Sequence, residues 1–247
     1  MTKWRKYNLS LYIVIPAYNE ELNIERCVAD WYPVVENHNE DGTSRLVIVN
    51  DGSKDKTLEK LEALAKDRPL LIPLTKENGG HGSAVLYGYR YAIGAGAEWV
   101  FQTDSDSQTD PGEFEQFWES RNEYDAVIGE RPERGDGKSR ALVEKVVCLL
   151  LRLYFGIKVA DANAPYRLMK AEVLSKYIVK LPEDYNLPNI MLTAYFVRFQ
   201  EKVLFLPISF ASRKAGKNSI NLKKIIRIGW SALGDFYRIR RDINRQD

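Results

Sequence analysis

The chain has 247 residues, 45% hydrophobic and 28% charged, enough to bury a core without disulfide or metal support and too apolar for disorder. A formal net charge of only +2 supplies no global field for a polyanion, which argues against nucleic acid as a partner. The two cysteines, Cys27 and Cys148, lie in apolar helical patterns without metal-ligand spacing and read as buried free thiols in a reducing cytoplasm.

Leu11 to Ile15 is a short β-rich run stopped by Pro16, too short for a signal peptide, and Glu20 to Val35 follows with helical spacing. A second strand, Leu46 to Val49, ends at the turn Asn50-Asp51-Gly52, after which Ser53 or Asp55 is placed to cap a helix through Ala65. Leu70 to Leu74 reads as a third strand, and Gly79-Gly80 opens a helix over Ser83 to Gly94. A fourth strand starts at Trp99 and runs into Asp104, and Ala126 to Ile128 is a fifth. This alternation predicts an α/β fold, a mostly parallel mixed sheet with helices on both faces. Ligands of such sheets bind beyond the carboxyl ends of the strands, where Pro16 to Glu20, Asn50 to Ser53 and Thr103 to Gln108 all fall.

The second half is less regular. Arg131 to Arg140 is a polar loop, Ala141 to Phe155 an apolar helix, and Asp161 to Met169 an irregular segment. Pro188 to Phe199 reads as a helix, Val203 to Phe210 as a strand, and about 220–242 as a basic amphipathic helix. Without a linker or repeat the whole chain is expected to form one domain. No stretch reaches the roughly 18–20 apolar residues of a membrane span.

Asp104, Asp106 and Gln108 occupy alternate positions, which in an extended segment share one face. Two carboxylates and an amide oxygen are hard ligands suited to Mg²⁺ or Mn²⁺ bridging a diphosphate. The motifs Ile15-Pro-Ala-Tyr-Asn-Glu20, Val49-Asn-Asp-Gly-Ser53, Asn78-Gly-Gly-His-Gly82 and the carboxylate cluster follow in this order. Their order and spacing resemble the inverting family 2 glycosyltransferases with a GT-A fold, in particular the dolichol-phosphate mannose synthase and polyprenyl-phosphate glycosyltransferase group. The resemblance covers about residues 10–215.

It implies transfer of a sugar from a UDP- or GDP-sugar, with Pro16, Tyr18, Glu20 and Asp51 at the nucleotide and Asp104, Asp106 and Gln108 at the metal. Arg213 matches an arginine that approaches the donor diphosphate, and a guanidinium can grip phosphate bidentately. Residues 10–130 would form the donor half and 131–215 the acceptor half. Arg131, Arg134, Arg140, Asp161 and Arg167 would meet a lipid-linked phosphate or glycan acceptor. A hydroxyl acceptor needs a base, for which Asp184 is placed, with Glu183 second; a phosphate does not. The implied place is the cytoplasm, at the membrane's cytoplasmic face if the C-terminal helix touches lipid.

His81 stands where many members carry a lysine or arginine, Asn163-Ala-Pro-Tyr166 differs from the group's acceptor motif, and Lys217 is displaced from the group's lysine. Nucleotidyl transfer is disfavoured, because no Gly-rich basic loop follows the first strand. A dehydrogenase is disfavoured because Gly-x-Gly-x-x-Gly is missing there. A silent scaffold subunit should show a broken metal motif, whereas all three of its members are present.

Overall fold

A computed structural model describes residues 10–132 and 138–211, with side chains in the second stretch described from Glu144 onward. Seven strands form one sheet in the order β3-β2-β1-β4-β6-β5-β7. The first four, β1 (Leu11–Ala17), β2 (Arg45–Asp51), β3 (Leu71–Lys76) and β4 (Trp99–Gln102), are mutually parallel neighbours. β6 (Arg167–Lys170) inserts antiparallel between β4 and β5 (Ala126–Glu130), and β7 (Val203–Pro207) lies parallel to β5 at the edge. The mostly parallel mixed sheet is therefore as expected, but β6 falls inside the segment read as irregular. Four residues between two distant partners leave no local period, and only the pairing makes them a strand.

Successive side chains of a strand point to opposite faces, and two apolar layers follow from that alternation. Tyr12, Val14, Val47 and Val49 face α3 (His81–Gly94), α5 (Lys138–Phe155), α6 (Ala171–Ile178) and α7 (Pro188–Arg198). Leu11, Ile13, Ile15 and Ile48 face α1 (Ile24–Asn37), α2 (Thr57–Ala65) and α4 (Phe114–Ser120). β1 is buried along its whole length, each of its large aliphatic side chains contributing roughly 1.5–3 kcal/mol of burial.

Pro16 does not stop the first strand. The Val14 carbonyl accepts from Thr103 on the β4 side, and Pro16, two residues on, faces that same side. The last β1–β4 pair is Val14 with Gln102, so β4 has ended where proline lacks its donor. α1 starts four residues later than the spacing suggested. Asn19 takes a left-handed φ of 54° in the preceding turn, and the Glu20 carbonyl accepts from the amides of Asn23 and Ile24. The N-cap position of α2 falls to Lys56, whose side chain caps nothing, and it is Asp55 just before it that satisfies the amide of the first helical residue, Thr57. Ser53 and Asp55 also stitch neighbouring loops together. Ser53 Oγ accepts from the Asn19 amide, and Asp55 accepts from the amides of Glu21 (3.2 Å) and Thr57 (3.0 Å) and from the Thr57 hydroxyl. Thr57 Oγ1, fully buried, accepts in turn from the Glu20 amide at 2.8 Å.

Burial raises the Asp55 pKa, but the hydrogen bonds from Thr57 and Glu21 outweigh it and hold the carboxyl below its ordinary value. A folded pKa below the unfolded one contributes stability that is present above the ordinary carboxylate pKa and lost as pH falls through the lowered value. Asp55→Asn is expected to cost about 1–3 kcal/mol near pH 7. Thermal unfolding of both proteins from pH 7 to pH 3 should show the gap closing on the acid side; a gap independent of pH would contradict this account.

Candidate functional site

The polar ends of β2 and β4 meet at the start of α3. Asp51, the last residue of β2, is buried and accepts three hydrogen bonds: Oδ1 from Lys76 Nζ (2.9 Å) and the Gly79 amide (3.0 Å), Oδ2 from the Gly80 amide (2.8 Å). Its own carbonyl accepts from Asn78 Nδ2 at 2.8 Å. The turn to this loop requires Gly52, at φ 64°, because a Cβ there would lie 2.8 Å from the Asn78 amide nitrogen. A carboxylate has about four lone-pair directions, and three of them on Asp51 are taken up in organising the loop. Lys76 was not singled out from the sequence. Its place at the carboxyl end of β3, directly before Glu77-Asn78-Gly79, was the available signal.

Across the same loop lies the carboxylate turn. β4 ends at Gln102 rather than reaching Asp104, and residues 105–107 form a turn with Ser107 at φ 57°. The alternation argument for residues 104, 106 and 108 therefore fails, since it holds only for extended chain. Asp104 Oδ1 is a buried atom with no hydrogen-bond partner among the described residues, and it lies 3.8 Å from His81 Nε2. Asp106 Oδ1 accepts from the Gln108 amide at 3.3 Å. Gln108 is buried, and its Nε2 donates to the Ala211 carbonyl (2.7 Å) while its own carbonyl accepts from the Ala211 amide (2.9 Å). The amide nitrogen is thus committed, which leaves its oxygen as the side chain's acceptor.

A third segment closes on the same helix end. A Cβ on Gly82 would collide with the Tyr185 carbonyl and the Asn186 backbone, so the 185–186 chain packs directly on the first turn of α3. Asp184, the expected base, is the exposed residue next to this contact. Around the site, Tyr18 is partly exposed after β1, Pro16 is buried within it, and Glu20 is buried with Oε2 accepting from Asn23 Nδ2 at 2.6 Å. Glu20 precedes α1, whose first-turn acid is Glu25. Beneath the turn, the buried Tyr89 hydroxyl donates to Gln102 Oε1 at 2.9 Å.

The expected acceptor residues divide. Arg167 is fully buried, and its guanidinium donates to the carbonyls of Ala162, Ala164 and Asn189 and to Thr193 Oγ1. Burial pushes its pKa down. The expectation of an acceptor contact is corrected here: this arginine pins residues 162–164 to α7, and no face of it is open to a ligand. Arg131 and Asp161 are also buried and pair bidentately at 2.6 and 3.0 Å, with the Arg131 guanidinium 4.9 Å from the Phe210 ring centre. Glu144 of α5 joins them, 4.0 Å from Arg131 Nη2 and accepting from the Ala162 amide at 2.8 Å. As the single acid in an apolar helix it was a legible signal that went unread. Arg140 lies in the first turn of α5, where side chains are not described, and Arg134, Arg213 and the C-terminal 220–242 segment lie outside the described residues. Cys148 touches Glu144, and burial, with that carboxylate, pushes its thiol up to about 12.

Fold and strand-end site together define a GT-A type α/β protein. The sequence model described as Glycosyl transferase family 2 matches residues 12–178, and the chain belongs to that family. It is 26% identical over 228 residues to an undecaprenyl-phosphate 4-deoxy-4-formamido-L-arabinose transferase of Pectobacterium atrosepticum, covering 90% of this chain and 65% of that protein. It is 25% identical over 218 residues to an undecaprenyl-phosphate mannosyltransferase of Micrococcus luteus, covering 84% and 86%. The chain thus spans somewhat less than two thirds of the first of these relatives. The fold matches that of glucosyl-3-phosphoglycerate synthase from Mycobacterium tuberculosis, crystallised with Mn²⁺, UDP-glucose and glycerol 3-phosphate. That match has a TM-score of 0.68 at 19% identity and covers 94% of this chain and 80% of that one.

Asp161→Asn removes the bidentate partner of the buried Arg131 and leaves, among the described residues, only Glu144, 4.0 Å away, to offset its charge. The cost should approach about 3–5 kcal/mol, that of a broken buried pair. Urea unfolding should show a midpoint shift of that order; a shift below about 1 kcal/mol would mean the pair does not hold this region together.

Proposed function

We propose that the chain transfers a sugar from a nucleotide-sugar donor to a lipid phosphate. The observation that carries this reading is the convergence on one helix end. Asp51 grips the amides of Gly79 and Gly80, Asp104 lies beside His81, and the 185–186 chain packs on Gly82. That arrangement is a nucleotide-diphosphate cradle of the kind expected at the carboxyl edge of a parallel sheet.

The donor's base and ribose would lie over Pro16, Tyr18 and Glu20 and use the remaining lone pair of Asp51. Among the described residues no three His, Cys, Asp or Glu side chains form a metal cluster by themselves. The unpartnered Asp104 oxygen nevertheless suits a hard cation, and Asp104, Asp106 and the Gln108 oxygen would hold Mg²⁺ or Mn²⁺ with donor phosphates as further ligands. Such a cation, when bound, neutralises charge on the departing nucleoside diphosphate. Arg213 would grip the same diphosphate. An acceptor oxygen attacks the anomeric carbon in line as the bond from that carbon to the diphosphate oxygen breaks, with inversion.

The relatives named for undecaprenyl phosphate support a lipid phosphate acceptor. That nucleophile is already ionised, so no base is required. Because Arg131, Asp161 and Arg167 are engaged within the protein, Arg134 and Arg140 are the proposed contacts to the acceptor phosphate. Asp184 becomes a base only under the alternative reading of a hydroxyl acceptor, which its exposed position next to the 185–186 contact keeps open.

Thermal shift with UDP and GDP, each with and without Mn²⁺, tests the donor site. One nucleotide with Mn²⁺ should stabilise the protein by about 2.7 kcal/mol at a hundredfold excess over its dissociation constant. Asp106→Ala should lose the Mn²⁺-dependent part, and absence of any cation-dependent stabilisation of the unaltered chain would falsify the reading. Asp184→Asn should retain transfer to a short-chain prenyl phosphate within about twofold; lost transfer with intact donor binding would overturn the account in which Asp184 has no part in transfer to a phosphate.

A further inference from the structure

The outer face of α5 is unusual for a water-facing helix. Among its described side chains, from Glu144 onward, the exposed ones are Lys145, Val146, Leu149, Arg152 and Leu153, continuing to Gly156 just past the helix end. These steps of three and four mark a single continuous stripe. Val146, Leu149 and Leu153 are 47%, 54% and 66% exposed, and they stand among the few large hydrophobic side chains open to solvent in the described residues. The opposite face supplies Leu151 and Phe155 to the core. The stripe is therefore surplus to what folding needs.

Charge tells what covers it. From Glu144 onward the only acid of α5 is Glu144 itself, and it is turned inward onto the Ala162 amide and Arg131. The outer face carries Lys145 and Arg152, followed by the exposed Lys158, and no carboxylate. Long basic side chains bordering an apolar strip can keep their charges at a phosphate layer while their stems and the strip enter the acyl boundary. A protein partner of ordinary composition would require acids matched to these cations, whereas an anionic bilayer supplies them everywhere. No described helix is long and apolar enough to cross a membrane, so contact by α5 is along the surface.

We infer that Val146, Leu149 and Leu153, with Lys145 and Arg152, form a docking face for an anionic lipid surface. The helix links that face to the site. Glu144 holds the Ala162 amide, and the next residue back, Asp161, pairs with Arg131 beyond the end of β5. A bilayer on the outer face would lie about one helix diameter, roughly 10–12 Å, from that pair. The catalytic consequence, delivery of a membrane-embedded acceptor, rests on the lipid-phosphate reading above; the lipid contact itself does not.

The test is flotation of the full chain with vesicles of 30% phosphatidylglycerol in phosphatidylcholine (about the charge of an anionic leaflet), and with pure phosphatidylcholine. Partition onto the anionic vesicles should fall at least roughly tenfold in Leu149→Glu/Leu153→Glu and by up to roughly thirtyfold in Lys145→Gln/Arg152→Gln. Val179→Glu, at a 77% exposed apolar residue of another element, should not change it. All altered side chains are exposed, so unchanged melting curves will confirm folding. Three results would overturn the inference: no flotation of the unaltered chain, equal flotation of Leu149→Glu/Leu153→Glu, or a dimer in solution that this double variant dissociates without any flotation. Flotation needs no turnover, so a protein that floats through this face yet transfers no sugar would sink the functional reading and leave the docking face standing.

Discussion

The site depends on the grip of one buried carboxylate on a glycine turn. Asp51 receives the amides of Gly79 and Gly80 and the Lys76 ammonium, and these bonds set where α3 begins. A carboxylate taken out of water needs such donors, since charge without partners is costly in a low-dielectric interior. Once α3 is placed, His81 comes within 3.8 Å of Asp104, and Gly82 admits the Tyr185–Asn186 backbone that no side chain would allow. The ends of β2 and β4 and the 185–186 chain are joined through that helix end.

A second set of buried charges organises the other half. Arg167 gathers carbonyls from residues 162, 164 and 189, and Arg131, Asp161 and Glu144 lock the start of that segment to α5. Arginine suits both places because its planar fork meets several fixed oxygens at once and stays charged when buried. The consequence for function is positional. These residues fix residues 161–167 against α5 and α7, and their charges are answered within the protein. The same lock turns the acid of α5 inward, so the helix presents only cations beside its exposed leucines and valine.

Local chemistry made much of the first half legible. Apolar runs ending in Asn-Asp-Gly or Asp-Ser-Asp mark strands that stop where polar groups are wanted, and parallel alternation sends those ends to one edge. Boundaries moved there, since β1 passes through Pro16 because its missing donor faces a strand already ended and β4 stops two residues short of Asp104, and the short helix α4 was not expected at all. In the second half, β6 went unread because four residues stabilised by two distant partners carry no period of their own, whereas α6, with Ala171, Leu174, Tyr177 and Ile178 at helical spacing, was a legible signal that was missed.

Residue order alone determined the family pattern, the alternating core and the candidate carboxylates, since each is written in nearest-neighbour spacing. Tertiary structure alone decided what each charge faces. Asp51 is bound into its own loop, Gln108 ties the carboxylate turn to Ala211, Arg131 and Asp161 pair with each other, and Arg167 meets backbone carbonyls. The reason is physical: a charged side chain reads identically in sequence whether water or a partner 30 residues away solvates it, as for Arg131 and Asp161, and only folding chooses.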